Sequence, residues 1–151
     1  MKRVFYNSML AKVLLYFSTC HTIMLFGFVF SKLNESEMTQ NIINHECVHI
    51  RQWGEMTILS GVVLFLLTVI FGLSPWWMLL SGVTYYAWYI VEWMMKGLWY
   101  SIMIDEWTCD MDTPYESISF EREAYKASDD SNYLENGNYF EWLKFLVKHK
   151  S

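Results

Sequence analysis

His45 and His49 stand four residues apart in the string His45-Glu46-Cys47-Val48-His49, in a stretch read as helical. On a helix that separation is one turn and roughly 40°, so both imidazoles can turn a neutral nitrogen toward a single ion. Glu46, rotated about 100° from His45, stays out of the ligand set yet lies near enough to take a proton from a water at the metal. Two ligands and a base at this spacing are parts of a hydrolytic centre that works on an activated water.

A zinc ion that does chemistry takes three protein ligands and keeps one position open, so the pair requires a third donor elsewhere. His21 lies in an apolar stretch where a hydrogen-bonded core role is the simpler account, and His149 lies in the tail. The acids of Glu121-Arg122-Glu123-Ala124-Tyr125 are stronger candidates, because they fall in an expected helix beside the apolar Phe120 and Ala124. A carboxylate brought by this second helix completes a His2Glu set. For the group that would donate to a developing oxyanion, Tyr125, Arg122 and Tyr115 are open alternatives.

Other reactive residues read more simply. Glu92 sits in an apolar stretch, where an acid faces a partner or cavity unless the membrane exit solvates it. Asp105, Glu106, Asp110 and Asp112 surround Cys109 at a spacing that fits no ligand template, which points to a solvated loop. Cys20, Cys47 and Cys109 form neither a CxxC pair nor a disulfide framework and suit a reducing, cytosol-facing setting. Cys47 and Cys109 read as packing residues. The rings from Trp76 to Tyr100, Tyr85 and Tyr89 among them, suit a membrane-boundary belt better than a substrate groove.

The elements that must position these groups point to a bilayer. Hydrophobic residues are 54% of the 151 and aromatics 19%, more than a single soluble domain of this size can readily hide. The formal net charge of −5 offers no basic surface to nucleic acid. Residues 57–73 carry no charge and are close to the shortest run that crosses a ~30 Å hydrocarbon core. After Ser74 and Pro75 a second apolar stretch, 76–94, holds the single acid Glu92, so the two read as a helical hairpin. Lys32, Arg51, Lys96, Arg122 and Lys126 flank the open end, which the positive-inside rule assigns to the cytoplasm. Two crossings between His49 and Glu121 then return both to one membrane face.

The apolar stretch from Val13 to Phe30 is interrupted by Ser18, Thr19, His21 and Gly27 and leaves helix, strand and interfacial segment open. It is not counted as a span, because that would put Lys2, Arg3 and Lys12 outside. Asn34 or Ser36 caps a helix that begins nearby, Asp112-Thr113-Pro114 open a helix over 115–127, and an amphipathic segment over 139–147 closes the chain.

The HExxH string resembles that of the gluzincin metallopeptidases, and Glu-x-Glu-Ala-Tyr is similar to the E-x-x-A-D of integral-membrane CAAX-type and heat-shock-type proteases. The resemblance implies His45 and His49 as ligands, Glu46 as base, and Glu121, with Glu123 as the alternative, as third ligand to Zn2+. It covers about a fifth of the chain and departs at Tyr125, where that family has Asp to orient a ligand histidine. Asn44, Asp105 or Glu92 could substitute, or the Tyr125 hydroxyl could serve the oxyanion. The strings around His45 and Glu121 also resemble NHExxHxRQ and FEREAY signatures of a group of small membrane proteins, from which no activity carries over.

The expectation is a single mainly all-α domain over 1–151, minigluzincin-like. A membrane hairpin follows the HExxH helix, and an ExEAY helix lies toward the C-terminus. The expected function is a zinc metallopeptidase of the inner, cytoplasmic membrane with its site on the cytoplasmic face, acting on a peptide or protein and contacting lipid. The alternative is a non-catalytic zinc-binding membrane protein with a regulatory or partner-binding role.

Overall fold

A computed structural model of the chain describes residues 4–103, 112–130 and 132–147. Among these residues the chain is mainly helical, with a small three-stranded sheet near its start. In order come β1 (Val4–Phe5), α1 (Met9–Leu14), β2 (Thr22–Leu25), β3 (Phe28–Ser31), α2 (Gln40–Phe71), α3 (Thr84–Met103), α4 (Asp112–Glu116), α5 (Ser119–Ser128), α6 (Tyr133–Asn136) and α7 (Leu143–Val147). Asp105, Glu106, Cys109, Asp110 and His149, with the side chain of Asp112, lie outside the described residues. The chain forms two compact units, residues 1–54 with 124–137 and residues 55–123 with 138–151; α2 and α5 are each one continuous helix with residues in both.

In the first unit the strands lie in the order β1-β3-β2, with β1 parallel and β2 antiparallel to β3. Phe26 and Gly27 join β2 to β3 with φ of 50° and 79°, the two positive values that a type I′ hairpin turn demands. The segment left open between helix, strand and interface therefore begins in the end of α1, passes through turns and ends in the hairpin. Alternation along β3 buries Val29 and Ser31 fully and turns Phe28 outward. Asn34 does cap, but it caps a short 3-10 turn, Glu35–Glu37, accepting from and donating to that turn, while α2 starts three residues later at Gln40. Val48 of α2 packs with Ala124, Ala127 and Tyr133. The small side chains of α5 let it approach, and the Asn44 amide donates to the carbonyl of Ser128 at 3.0 Å.

Helix α2 runs for 32 residues, so the HExxH segment and the first apolar run are one rod of about 48 Å. It is long and apolar enough to cross a membrane, and only 11% of its most apolar stretch is buried against protein. It ends at Phe71, two residues short of the expected run, because Gly72 takes the left-handed conformation (φ 63°) that closes helices.

In the second unit the return arm is not a single helix over 76–94. Pro75–Val83 is a 3-10 segment, and the α-helix begins only at Thr84 and continues to Met103. Ser60 of α2 meets this arm through its hydroxyl, 2.9 Å from that of Thr84 and 3.3 Å from the Ser81 carbonyl, and Gly61 faces the Ser81 side chain. Small residues at such a crossing let backbones approach closely. The helix expected over 115–127 is two, α4 and α5, broken at Ser117 and Ile118. The closing helix begins at Leu143 rather than 139, since Phe140 sits at φ 58° and Tyr139–Trp142 form a turn.

Tyr85, Tyr89, Glu92 and Lys96 recur along one side of α3 and meet the start of α5. Phe120 is fully buried, stacked on Tyr85 at 4.8 Å and edge-on to Trp142 at 4.7 Å. The Glu92 carboxylate accepts the Ser119 backbone N–H at 2.8 Å and its hydroxyl at 2.6 Å, and pairs with Lys96 at 3.2 Å. An acid at the first residue of a helix opposes the helix dipole, which in partly buried geometry stabilises by ~1–2 kcal/mol. Lys96 also donates to the carbonyl of Ser117, fixing the residue at the break.

Candidate metal centre

The Nε2 atoms of His45 and His49 face each other at 3.1 Å, with ring planes at 80°. Two nitrogens bound tetrahedrally to one zinc at ~2.05 Å lie roughly 3.3 Å apart, so the pair already has a ligand spacing. The Nδ1 of His49 lies 2.9 Å from the Oε1 of Gln52, one turn further along α2 and fully buried. An amide oxygen only accepts, so Nδ1 carries the hydrogen and Nε2 keeps its lone pair for an ion.

Tyr125 rests on the His45 ring, with centroids 4.9 Å apart. Glu121 lies one turn earlier on the same helix, hence on the same face. One ligand atom from each of His45, His49 and Glu121 lies within 4.8 Å of the other two. Glu121 is 2% exposed, and the Tyr89 hydroxyl donates to its Oε1 at 2.7 Å. Glu123 is also buried, but two residues along a helix turn its side chain about 200° away, and it is not among the three. Two imidazole nitrogens and a carboxylate are the donor types zinc takes, so the residues present fit the ion.

Glu46 is buried, and the hydroxyl of Thr22 on β2 donates to its Oε1. Cys47 is buried too, and burial, with the Glu46 charge second, pushes its thiol up to about 11. This suits the packing role read for it.

The remaining candidates divide. Asn44 binds Ser128 and Glu92 binds Ser119, so neither of these hydrogen bonds reaches His45 or His49, whereas Gln52 is hydrogen-bonded to the His49 ring. The Arg122 guanidinium donates to the Phe145 carbonyl and lies over its ring at 5.4 Å. Tyr115 packs on the Tyr89 ring. Of the three oxyanion candidates, Tyr125 therefore has a ring contact with a histidine of the set and is 48% exposed. His21 is exposed beside β2. The belt expected of the aromatics splits: Trp76 is 78% exposed, whereas Tyr85 is buried and Tyr89 serves Glu121.

The sequence reading gives Gln52 and Thr22 no role at the site and places Tyr89 in the membrane belt. Gln52 had a local signal, being three residues from His49 on one helix. Tyr89 had a weaker one, the spacing of Tyr85, Tyr89, Glu92 and Lys96 on one face. Thr22 had none, since its approach depends on sheet pairing. No protein-family model, curated protein or solved structure matches the chain.

Proposed function

We propose that the chain is an integral-membrane zinc metallopeptidase in which His45, His49 and Glu121 hold the ion and Glu46 is the general base. The observation that carries this reading is the convergence of three donor atoms within 4.8 Å, from helices far apart in sequence. The resemblance to gluzincin motifs assigns the same three residues.

Zinc, when bound, supplies Lewis-acid polarisation of the scissile carbonyl and acidifies water beside it. Glu46 takes the proton of the attacking water as its oxygen bonds to the carbonyl carbon, and delivers that proton to the amine as the C–N bond breaks. The second Glu46 oxygen is available for this while Thr22 holds the first. Gln52 keeps the His49 tautomer fixed, and Tyr125 is the candidate donor to the developing oxyanion.

The membrane reading is supported by the exposed apolar surface of α2 and by the absence of any charged residue between Glu55 and Glu92. Two crossings in that interval would leave Arg51, Lys96, Arg122 and Lys126 on the cytoplasmic side with the histidine pair. A peptide or protein is then the substrate and lipid the surrounding.

The test is Glu46→Gln in purified protein offered an unstructured protein such as casein. Zinc content should stay near wild type while hydrolysis falls by at least ~100-fold. Unchanged cleavage rejects Glu46 as base. The Thr22 hydrogen bond to a buried Glu46 favours a second reading, a zinc-binding protein with a regulatory or partner-binding role. Bound zinc without hydrolysis in the wild type would select it.

A further inference from the structure

The turn joining β2 to β3 places an aromatic residue where the backbone disfavours one. Phe26 has φ of 50°, a left-handed conformation that Asn or Gly adopts at little cost and a bulky side chain does not. Its ring is nevertheless 55% exposed, touching Trp53 of α2 edge-on at 6.5 Å. Trp53 itself precedes Thr57, the start of the uncharged run, by four residues, about 6 Å along the helix. Behind the turn Phe28 and Phe5, 45% and 48% exposed and 6.0 Å apart, extend the apolar surface. The opposite face of the sheet, with Val29 and Ser31, is closed.

Charge separates lipid from other occupants. Residues 1–33 contain Lys2, Arg3, Lys12 and Lys32 and no acid, although the whole chain carries a formal −5. A segment whose sequence carries only positive charge, and whose described surface around the turn is aromatic and apolar, matches an anionic interface, where rings sit at headgroup depth and cations meet lipid phosphates. We propose that the β2–β3 turn and the Phe5–Phe28 surface insert into the headgroup region of an anionic phospholipid leaflet, a second membrane contact besides the crossing helices. This rests on the reading of α2 as a membrane-crossing helix.

The experiment uses the full chain with Cys20→Ser and Cys109→Ser, leaving the buried Cys47, in mixed phosphatidylcholine and phosphatidylglycerol vesicles. A nitroxide is attached at Phe26→Cys, and separately at Phe28→Cys, Leu66→Cys and Ser36→Cys. Collision with oxygen should exceed collision with an aqueous nickel chelate at 66, less strongly at 26 and 28, and the reverse should hold at Ser36, in the exposed Glu35–Glu37 turn. Omitting phosphatidylglycerol should raise nickel access at 26 several-fold. Sites 26 and 28 as open to nickel as 36, with 66 still lipid-like, overturn this proposal alone. An aqueous pattern at 66 overturns the membrane reading with it. Spin–spin broadening between labels at 26 shows a second copy on this surface, and unchanged access without phosphatidylglycerol removes the anionic headgroup; either result overturns the proposal.

Discussion

The Nδ1 atom of His49 lies 2.9 Å from the side-chain oxygen of Gln52, a fully buried residue one turn further along α2. The carbonyl oxygen fixes which ring nitrogen carries hydrogen and leaves the other facing His45. Gln52→Ala is therefore expected to weaken zinc binding by about 10–100-fold, measured by competition with a chromophoric chelator. Gln52→Glu, which keeps an acceptor there, should recover most of the loss. Wild-type affinity in Gln52→Ala would show that His49 is oriented by something else.

Tyr89 holds Glu121 from α3 through a 2.7 Å hydrogen bond, while its ring stacks on Phe120. Tyr89→Phe keeps the stack and removes the donor. Zinc affinity should fall by roughly tenfold with little change in thermal unfolding. Equal losses in both would make Tyr89 a packing residue only.

Glu92 anchors the first residue of α5, and its removal strands the Ser119 N–H and hydroxyl and leaves the Lys96 ammonium only the Ser117 carbonyl. Glu92→Ala should destabilise the protein by about 1–3 kcal/mol, read as a lower unfolding temperature in detergent. Zinc should be lost at a lower temperature in parallel, because α5 carries Glu121. An unchanged unfolding temperature would remove Glu92 from this role.

Burial raises the Cys47 thiol from 9.0 to about 11, so at pH 8 it holds roughly 100-fold less thiolate than an ordinary cysteine. Alkylation of Cys47 by iodoacetamide should be slower by at least that factor than in unfolded protein, and should rise tenfold per pH unit toward pH 11. Equal rates in folded and unfolded protein would contradict the burial.

Spacing within one helix was legible from the sequence. His45, Glu46 and His49 needed only the helical period; the period and the requirement for a third donor left Glu121 and Glu123 open, and only the resemblance put Glu121 first. The uncharged run after Glu55 announced the apolar part of α2. Strand pairing was not legible, because Thr22–Leu25 and Phe28–Ser31 are too short for their apolar pattern to separate strand from helix. Backbone conformations were equally hidden: nothing in the local pattern sets Phe140 at positive φ or breaks the chain at Ser117 and Ile118. Tyr89 was lost among aromatics that the membrane explained as well, and only α5 packing against α3 shows which ring serves a carboxylate.

The most direct measurement is the zinc content of purified wild type beside His49→Ala, Glu121→Ala and Glu123→Gln, by inductively coupled plasma mass spectrometry. The account predicts about one zinc per wild-type chain, near-complete loss in the first two variants, and retention in Glu123→Gln. Zinc retained at the wild-type level by Glu121→Ala, or absent from the wild type purified without chelator, would contradict it.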